Sequence, residues 1–154
     1  MSLTEGAAAP DFTLPATGGR TVSLAELKGK PFVLYFYPRA DTPGCTKEAC
    51  AFQEDLPEFD KLNVTVIGVS KDSMKALEKF AEKYSLRFPL ASDPEAKVID
   101  AYGAWQEKSM YGKKYMGIER STVLVDAHGK VAKLWPKVKV TGHAEDVLKA
   151  VKAL

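Results

Sequence analysis

Two thiols, Cys45 and Cys50, stand five positions apart and are the only cysteines in the chain. A thiolate is a strong nucleophile, but an ordinary thiol with a pKa of about 8.5 is only about 3% ionised at pH 7. Lowering that value by about 2.5 units takes roughly 3.4 kcal/mol, whereas a helix N-terminus supplies about 0.3 to 1, or near 2 when partly buried. A nucleophilic Cys45 therefore needs a cation as well. Arg120, directly before the apolar segment Thr122 to Val125, is the candidate, while Arg39 is nearer in sequence but sits in a polar turn. The alternative for Cys45 is a small core residue, since free Cys is among the most buried types. Its neighbours Thr42, Pro43, Gly44, Thr46 and Lys47 are not core-like.

Thr42 followed by Pro43 is an N-cap and first-position signature, so a helix should begin there and carry both thiols. The Thr42 hydroxyl can cap that helix, contact a substrate, or do both. Gly44 lets a second atom approach the backbone closely. In an intact helix the Cα atoms of Cys45 and Cys50 would lie roughly 8.6 Å apart, beyond the limit of about 7 Å for a disulfide, so a bond between them requires the first turns to unwind. A buried helix residue beside Ala49 and Ala51 is an equal reading of Cys50, and the spacing does not match the C-x-x-C of a dithiol oxidoreductase.

The elements that must position these residues follow from hydrophobic patterning. Phe32 to Tyr37 is a continuous apolar run, a strand buried on both faces, and Pro38 stops it. Before it, Phe12 to Leu24 alternates around Thr17-Gly18-Gly19 as a hairpin, and Ser23 and Glu26 have capping-box spacing for a short helix ended by Gly29. After it, Phe52, Leu56 and Phe59 mark the buried face of the cysteine-bearing helix. Pro57 predicts a break near Asp55. Val64 to Ser70 reads as a second buried strand and Asp72-Ser73 as the start of a helix with Met74, Leu77, Phe80, Ala81 and Tyr84 inward. Asp93-Pro94-Glu95 opens a further helix, and Ala104 to Glu119 reads as a long irregular stretch, with Trp105, Tyr111 and Tyr115 packing beneath it. Thr122 to Val125 and Val131 to Trp135 flank a turn, and a last helix carries Val147, Leu148 and Val151. The pattern predicts an α/β sandwich with a central mixed sheet. In such a sheet Cys45, just past the end of the first buried strand, lies where ligand crevices form, and an antiparallel strand starting at Thr122 would bring Arg120 to the same end.

Composition narrows the rest. The 154 residues suit one compact domain spanning 1–154, and 45% hydrophobic with 27% charged residues excludes disordered and fibrous classes. A net charge of +2, with no basic run, predicts no nucleic-acid partner. The longest apolar run is far short of the roughly 20 residues that cross a bilayer, and the start lacks a signal-peptide pattern, so a cytoplasmic protein with no membrane partner is expected. Two cysteines are too few for a disulfide scaffold, and His128 and His143 lie far from both thiols, so no metal site is expected; His128 reads as a turn residue and His143 as a polar residue near the last helix's start.

The segment Pro38-Arg39-Ala40-Asp41-Thr42-Pro43-Gly44-Cys45 matches the Pro-x-x-x-Thr-x-x-Cys signature of peroxiredoxins, and YFYPRADTPGCTKEAC from Tyr35 to Cys50 resembles the bacterioferritin comigratory protein, or PrxQ, subfamily. Ala9 to Leu14 and Gly112 to Asp126 also resemble the family's opening segment and its arginine-bearing loop and strand. The resemblance implies a thioredoxin-like fold with an N-terminal hairpin extension and an antioxidant oxidoreductase activity, the thiol-dependent reduction of hydrogen peroxide and organic hydroperoxides. By matching position it implies Cys45 as the peroxidatic cysteine, Thr42 and Arg120 as peroxide contacts, and Pro38 as a shield for the thiolate. The backbone amides of Gly44 and Cys45 complete the cradle, and Glu48 orients the arginine, though an exposed helix charge is an alternative reading. It also implies Cys50 as the resolving cysteine of an intrachain disulfide, recycled by thioredoxin or a similar dithiol, with no cofactor needed; of a monomer and a weak dimer, the monomer is the expectation. Lys149 to Leu154 lacks the Tyr-Phe extension of easily overoxidised relatives, which predicts resistance to sulfinylation. The rival readings are a general thiol-disulfide oxidoreductase, disfavoured by the missing C-x-x-C, and a redox-sensing interaction protein, which would tolerate Cys45→Ser.

Overall fold

A computed structural model describes residues 3–154. The opening alternation forms a hairpin of β1 (Thr13–Ala16) and β2 (Arg20–Ser23), turned through Gly18 and Gly19 at φ of 76° and 69°, where glycine avoids Cβ strain. Ser23 caps α1 (Leu24–Leu27) by accepting from the Glu26 N–H, as the spacing predicts. Then β3 (Phe32–Phe36) is buried at every position. Its Phe32, Leu34 and Phe36 enter one apolar cluster, and its Val33 and Tyr35 the other. The chain continues through α2 (Pro43–Lys61), β4 (Thr65–Ser70), α3 (Met74–Tyr84), β5 (Leu90–Ser92) and α4 (Lys97–Ala101). It closes with β6 (Trp105–Met110), β7 (Lys113–Ile118), β8 (Ser121–Val125), β9 (Val131–Trp135) and α5 (His143–Lys152).

A seven-stranded sheet runs β2-β1-β5-β4-β3-β8-β9. The pairs β3·β4 and β4·β5 are parallel, and β3·β8, β8·β9 and β1·β5 antiparallel, which is the mixed sheet expected. One face is covered by α2, α3 and α5 through Phe52, Leu77, Phe80, Val147 and Val151; the other by α1 and α4 through Leu24, Leu27, Val98 and Ile99. Among the described residues, no helix is long and apolar enough to cross a membrane.

The helix α2 does not break at Pro57. Proline inside a helix costs about 3 kcal/mol through its missing N–H and ring clash. Leu56 and Phe59 on either side are buried with Phe52 in one cluster, and burial contributes about 1.5–3 kcal/mol per large apolar side chain, so packing outweighs the local penalty. The helix expected at Asp93 starts instead at Lys97, because Ala96 turns left-handed at φ 59° and the Asp93 Oδ2 accepts from the Ile99 N–H six residues on. The stretch Ala104 to Glu119 is not irregular: β6 and β7 form a separate antiparallel pair. Its turn, Tyr111-Gly112 at φ of 52° and 79°, is the two-residue hairpin turn whose twist suits flanking strands. Both faces of this hairpin meet solvent, so it carries no period-two signal, and Tyr111, 98% exposed, stands in solvent rather than packing beneath the segment.

Candidate active site

Cys45 is the third residue of α2 and only 1% exposed. It follows the carboxyl end of β3 through a loop held from below. The Ala40 N–H donates to Asp72 Oδ2 at 2.8 Å, and Asp41, itself left-handed at φ 60°, accepts from Lys83 Nζ at 3.0 Å and the Tyr84 hydroxyl at 2.8 Å. The lysine and tyrosine hold the Asp41 carboxyl below its ordinary range. With its first N–H groups lacking intrahelical partners, α2 presents the amides of Gly44 and Cys45 at its positive end.

Antiparallel pairing places Ser121 opposite Phe36, so Arg120 arrives at the end of the sheet where Cys45 sits, 75 residues away in sequence. Its Nη2 donates to Cys45 Sγ at 3.3 Å and its Nη1 to Glu48 Oε1 at 2.7 Å. One guanidinium thus bridges a thiol and a carboxylate that are three residues apart on a helix. A Cβ built on Gly44 would come within 3.1 Å of Arg120 Nη2, so the bare glycine makes room for the arginine.

Glu48 is not an exposed helix charge. It is 1% exposed and its Oε2 has no hydrogen-bond partner among the described residues. Burial pushes its carboxyl up to about 7, against the pull of the Arg120 charge and hydrogen bond, so the ion pair sits near a balance between charged and neutral forms.

The remaining sequence-predicted residues are close in the chain but differ in what they touch. Thr42 is the N-cap of α2 by backbone conformation, yet its hydroxyl makes no cap bond; it donates to the Arg39 carbonyl at 2.8 Å and keeps its lone pairs for another donor. Pro38 is exposed at the end of β3. Cys50 is half-buried and free on the unbroken helix, with burial raising its thiol. Sequence reasoning missed one polar contact of this layer: His143, 4% exposed, lies with its Nε2 2.7 Å from Thr122 Oγ1. The apolar faces of α5 and β8 gave no hint that a histidine and a threonine meet between them.

A buried thiol at a helix N-terminus, beside a guanidinium held by a carboxylate, can attack an electrophilic atom and stabilise the anion that leaves. Comparisons with known proteins agree. The AhpC/TSA family matches residues 6–134. A Coxiella burnetii protein named as a putative peroxiredoxin bcp is 51% identical over 148 residues, 96% of this chain and 98% of that one. Peroxiredoxin Bcp of Bacillus subtilis is 47% identical, with 99% of this chain and 97% of that one covered. Among solved structures, Xanthomonas campestris peroxiredoxin Q superposes with a TM-score of 0.89 at 46% identity, covering 92% of this chain and 90% of that chain. A Xylella fastidiosa PrxQ mutant gives 0.93 at 38% identity, covering 99% and 98%. The fold is therefore the thioredoxin-like one expected, and the chain belongs to the AhpC/TSA family, within it to the Bcp/PrxQ peroxiredoxins, which are thiol-dependent peroxidases.

Proposed function

We propose that Cys45 is the peroxidatic residue, that Cys50 resolves it within the same chain, and that a thioredoxin-type dithiol completes the cycle. The observation that carries this reading is the Arg120 guanidinium, 3.3 Å from the Cys45 sulfur and 2.7 Å from Glu48. The Cys45 thiolate attacks the terminal oxygen of a hydroperoxide, R–O–O–H; an S–O bond forms, the O–O bond breaks, and R–O⁻ leaves to take a proton from solvent. Arg120, the Gly44 and Cys45 amides and the Thr42 hydroxyl are the groups that hold the peroxide and meet the developing charge, and Pro38 screens the thiolate. Each such donor contributes about 10²–10³ in rate where it has been removed from comparable sites.

Cys45 is then a sulfenic acid. The Cys50 sulfur attacks it, a disulfide forms and hydroxide leaves as water. Because both thiols lie on continuous helix in α2, roughly 8.6 Å apart at Cα by helix geometry, this step requires residues 42–50 to unwind. An external dithiol then restores both thiols by exchange. A solved Xanthomonas campestris bacterioferritin comigratory protein, 45% identical, is described in terms of alkyl peroxide reduction, which supports hydrogen peroxide and organic hydroperoxides as substrates here. The protein acts as a cytoplasmic monomer in this reading.

Thioredoxin-coupled peroxide consumption by the wild type, Cys45→Ser and Cys50→Ser tests it. Cys45→Ser should fall to background, and Cys50→Ser should lose thioredoxin-supported turnover while still consuming about one equivalent of peroxide. Peroxide reduction persisting in Cys45→Ser would overturn the assignment.

A further inference from the structure

We infer that His143 is a positioning residue for the Arg120–Cys45 pair, acting through its hydrogen bond to Thr122. The inference rests on the role of Arg120 given above. Arg120 and Thr122 are two residues apart where β8 begins, so both project towards α2. Glu48 and Phe52 are four apart on α2 and share a face of that helix. Two contacts therefore cross side by side between strand and helix. The first is Arg120 to Glu48. In the second, His143 binds Thr122 at 2.7 Å and turns its ring edge-on to Phe52, with centroids 6.0 Å apart, and to Trp135 of β9 at 5.5 Å. Phe52 in turn stacks on Tyr35 at 4.7 Å, and Tyr35 is the strand partner of Thr122.

The segment leading into α5 ties the same parts together. The Val138 N–H donates to the Arg120 carbonyl at 2.9 Å, and Lys47 Nζ, between the two cysteines, donates to Thr141 Oγ1 at 2.9 Å. Residues 138–143 thus form a strap that grips the backbone of Arg120, the second turn of α2 and, through His143, the Thr122 hydroxyl. Burial pushes the imidazole down to about 4, leaving it uncharged at neutral pH, so His143 itself brings no positive charge up to the guanidinium. A long flexible arginine is placed by the strand it grows from, and a displacement near 1 Å can cost about 10²-fold in rate.

Thr122→Val is nearly isosteric and removes only the hydroxyl, while Thr122→Ser restores it. The experiment measures the second-order rate constant for hydrogen peroxide and the iodoacetamide alkylation rate of Cys45 at pH 7, in a Cys50→Ser background, beside far-UV circular dichroism. We expect Thr122→Val to lose about 10- to 100-fold in the peroxide rate and to alkylate more slowly with its fold intact. Thr122→Ser should recover to within about threefold, and adding His143→Phe to Thr122→Val should cause no further loss, since one bond is being removed twice. A Thr122→Val protein at the wild-type rate, or a Thr122→Ser protein as slow as Thr122→Val, would overturn the inference. Arg120→Ala serves as the control: if it leaves the peroxide and alkylation rates unchanged, the role of Arg120 itself fails.

Discussion

Replacing Glu48 by Gln removes a carboxyl that burial pushes up to about 7 from an ordinary 4.5. The folded protein thus binds that proton roughly 300-fold more tightly than the unfolded chain, a difference of about 3 kcal/mol at about 1.4 kcal/mol per tenfold. Between the two values the native state holds more protons than the unfolded one. The contribution is therefore fully present below 4.5 and lost as pH rises through about 7. His143 works in the opposite sense, since its folded value is pushed down from 6.5 to about 4, so its contribution is present above 6.5 and lost as pH falls through 4. In the wild type the two trends oppose each other between 4.5 and 6.5. Urea unfolding of reduced wild type and Glu48→Gln at several values from pH 4.5 to 8 separates them, because the histidine term is common to both proteins. The stability difference, wild type minus variant, should fall by about 3 kcal/mol over that range. Parallel curves would refute the reasoning and mean that Glu48 titrates normally, as an exposed carboxylate would.

Gly44→Ala places a Cβ 3.1 Å from Arg120 Nη2, so the guanidinium must yield; we expect a peroxide rate about 10-fold lower with an unchanged melting temperature, measured by stopped-flow fluorescence and calorimetry. Pro57→Ala restores an N–H donor to the carbonyl of Gln53 within α2 and should raise stability by about 1–3 kcal/mol in urea titrations while leaving peroxide reduction unchanged.

The central strand, the hairpin at the start and the Thr42-Pro43 helix start were legible because each is a local statement: an unbroken apolar run, alternation around glycines, a capping pair. Arg120 was legible through topology, since an antiparallel strand beside β3 must begin where β3 ends. The burial of Glu48 was not, because a carboxylate in a helix is ordinarily solvated and only the distant Arg120 makes it tolerable inside. The pairing of Thr122 with His143 joins residues 21 apart on two different elements and leaves no periodic trace. The β6·β7 hairpin was hidden for a different reason: polar and apolar residues alike face solvent on both sides, so alternation carries no meaning there. Pro57 misled because the pattern names Phe52, Leu56 and Phe59 as a buried face but does not show how completely they pack, and that packing outweighs the local helix penalty.

Fully reduced protein mixed with one equivalent of hydrogen peroxide, quenched from milliseconds to minutes and weighed intact, tests the central claim that a fast Cys45 thiolate is resolved inside one chain by Cys50. The account predicts loss of two hydrogens within the first seconds with no dimer, and in Cys50→Ser a gain of one oxygen instead. An unchanged mass over minutes would contradict Cys45 as a peroxidatic thiol, and a lasting gain of oxygen in the wild type would contradict Cys50 as its resolving partner.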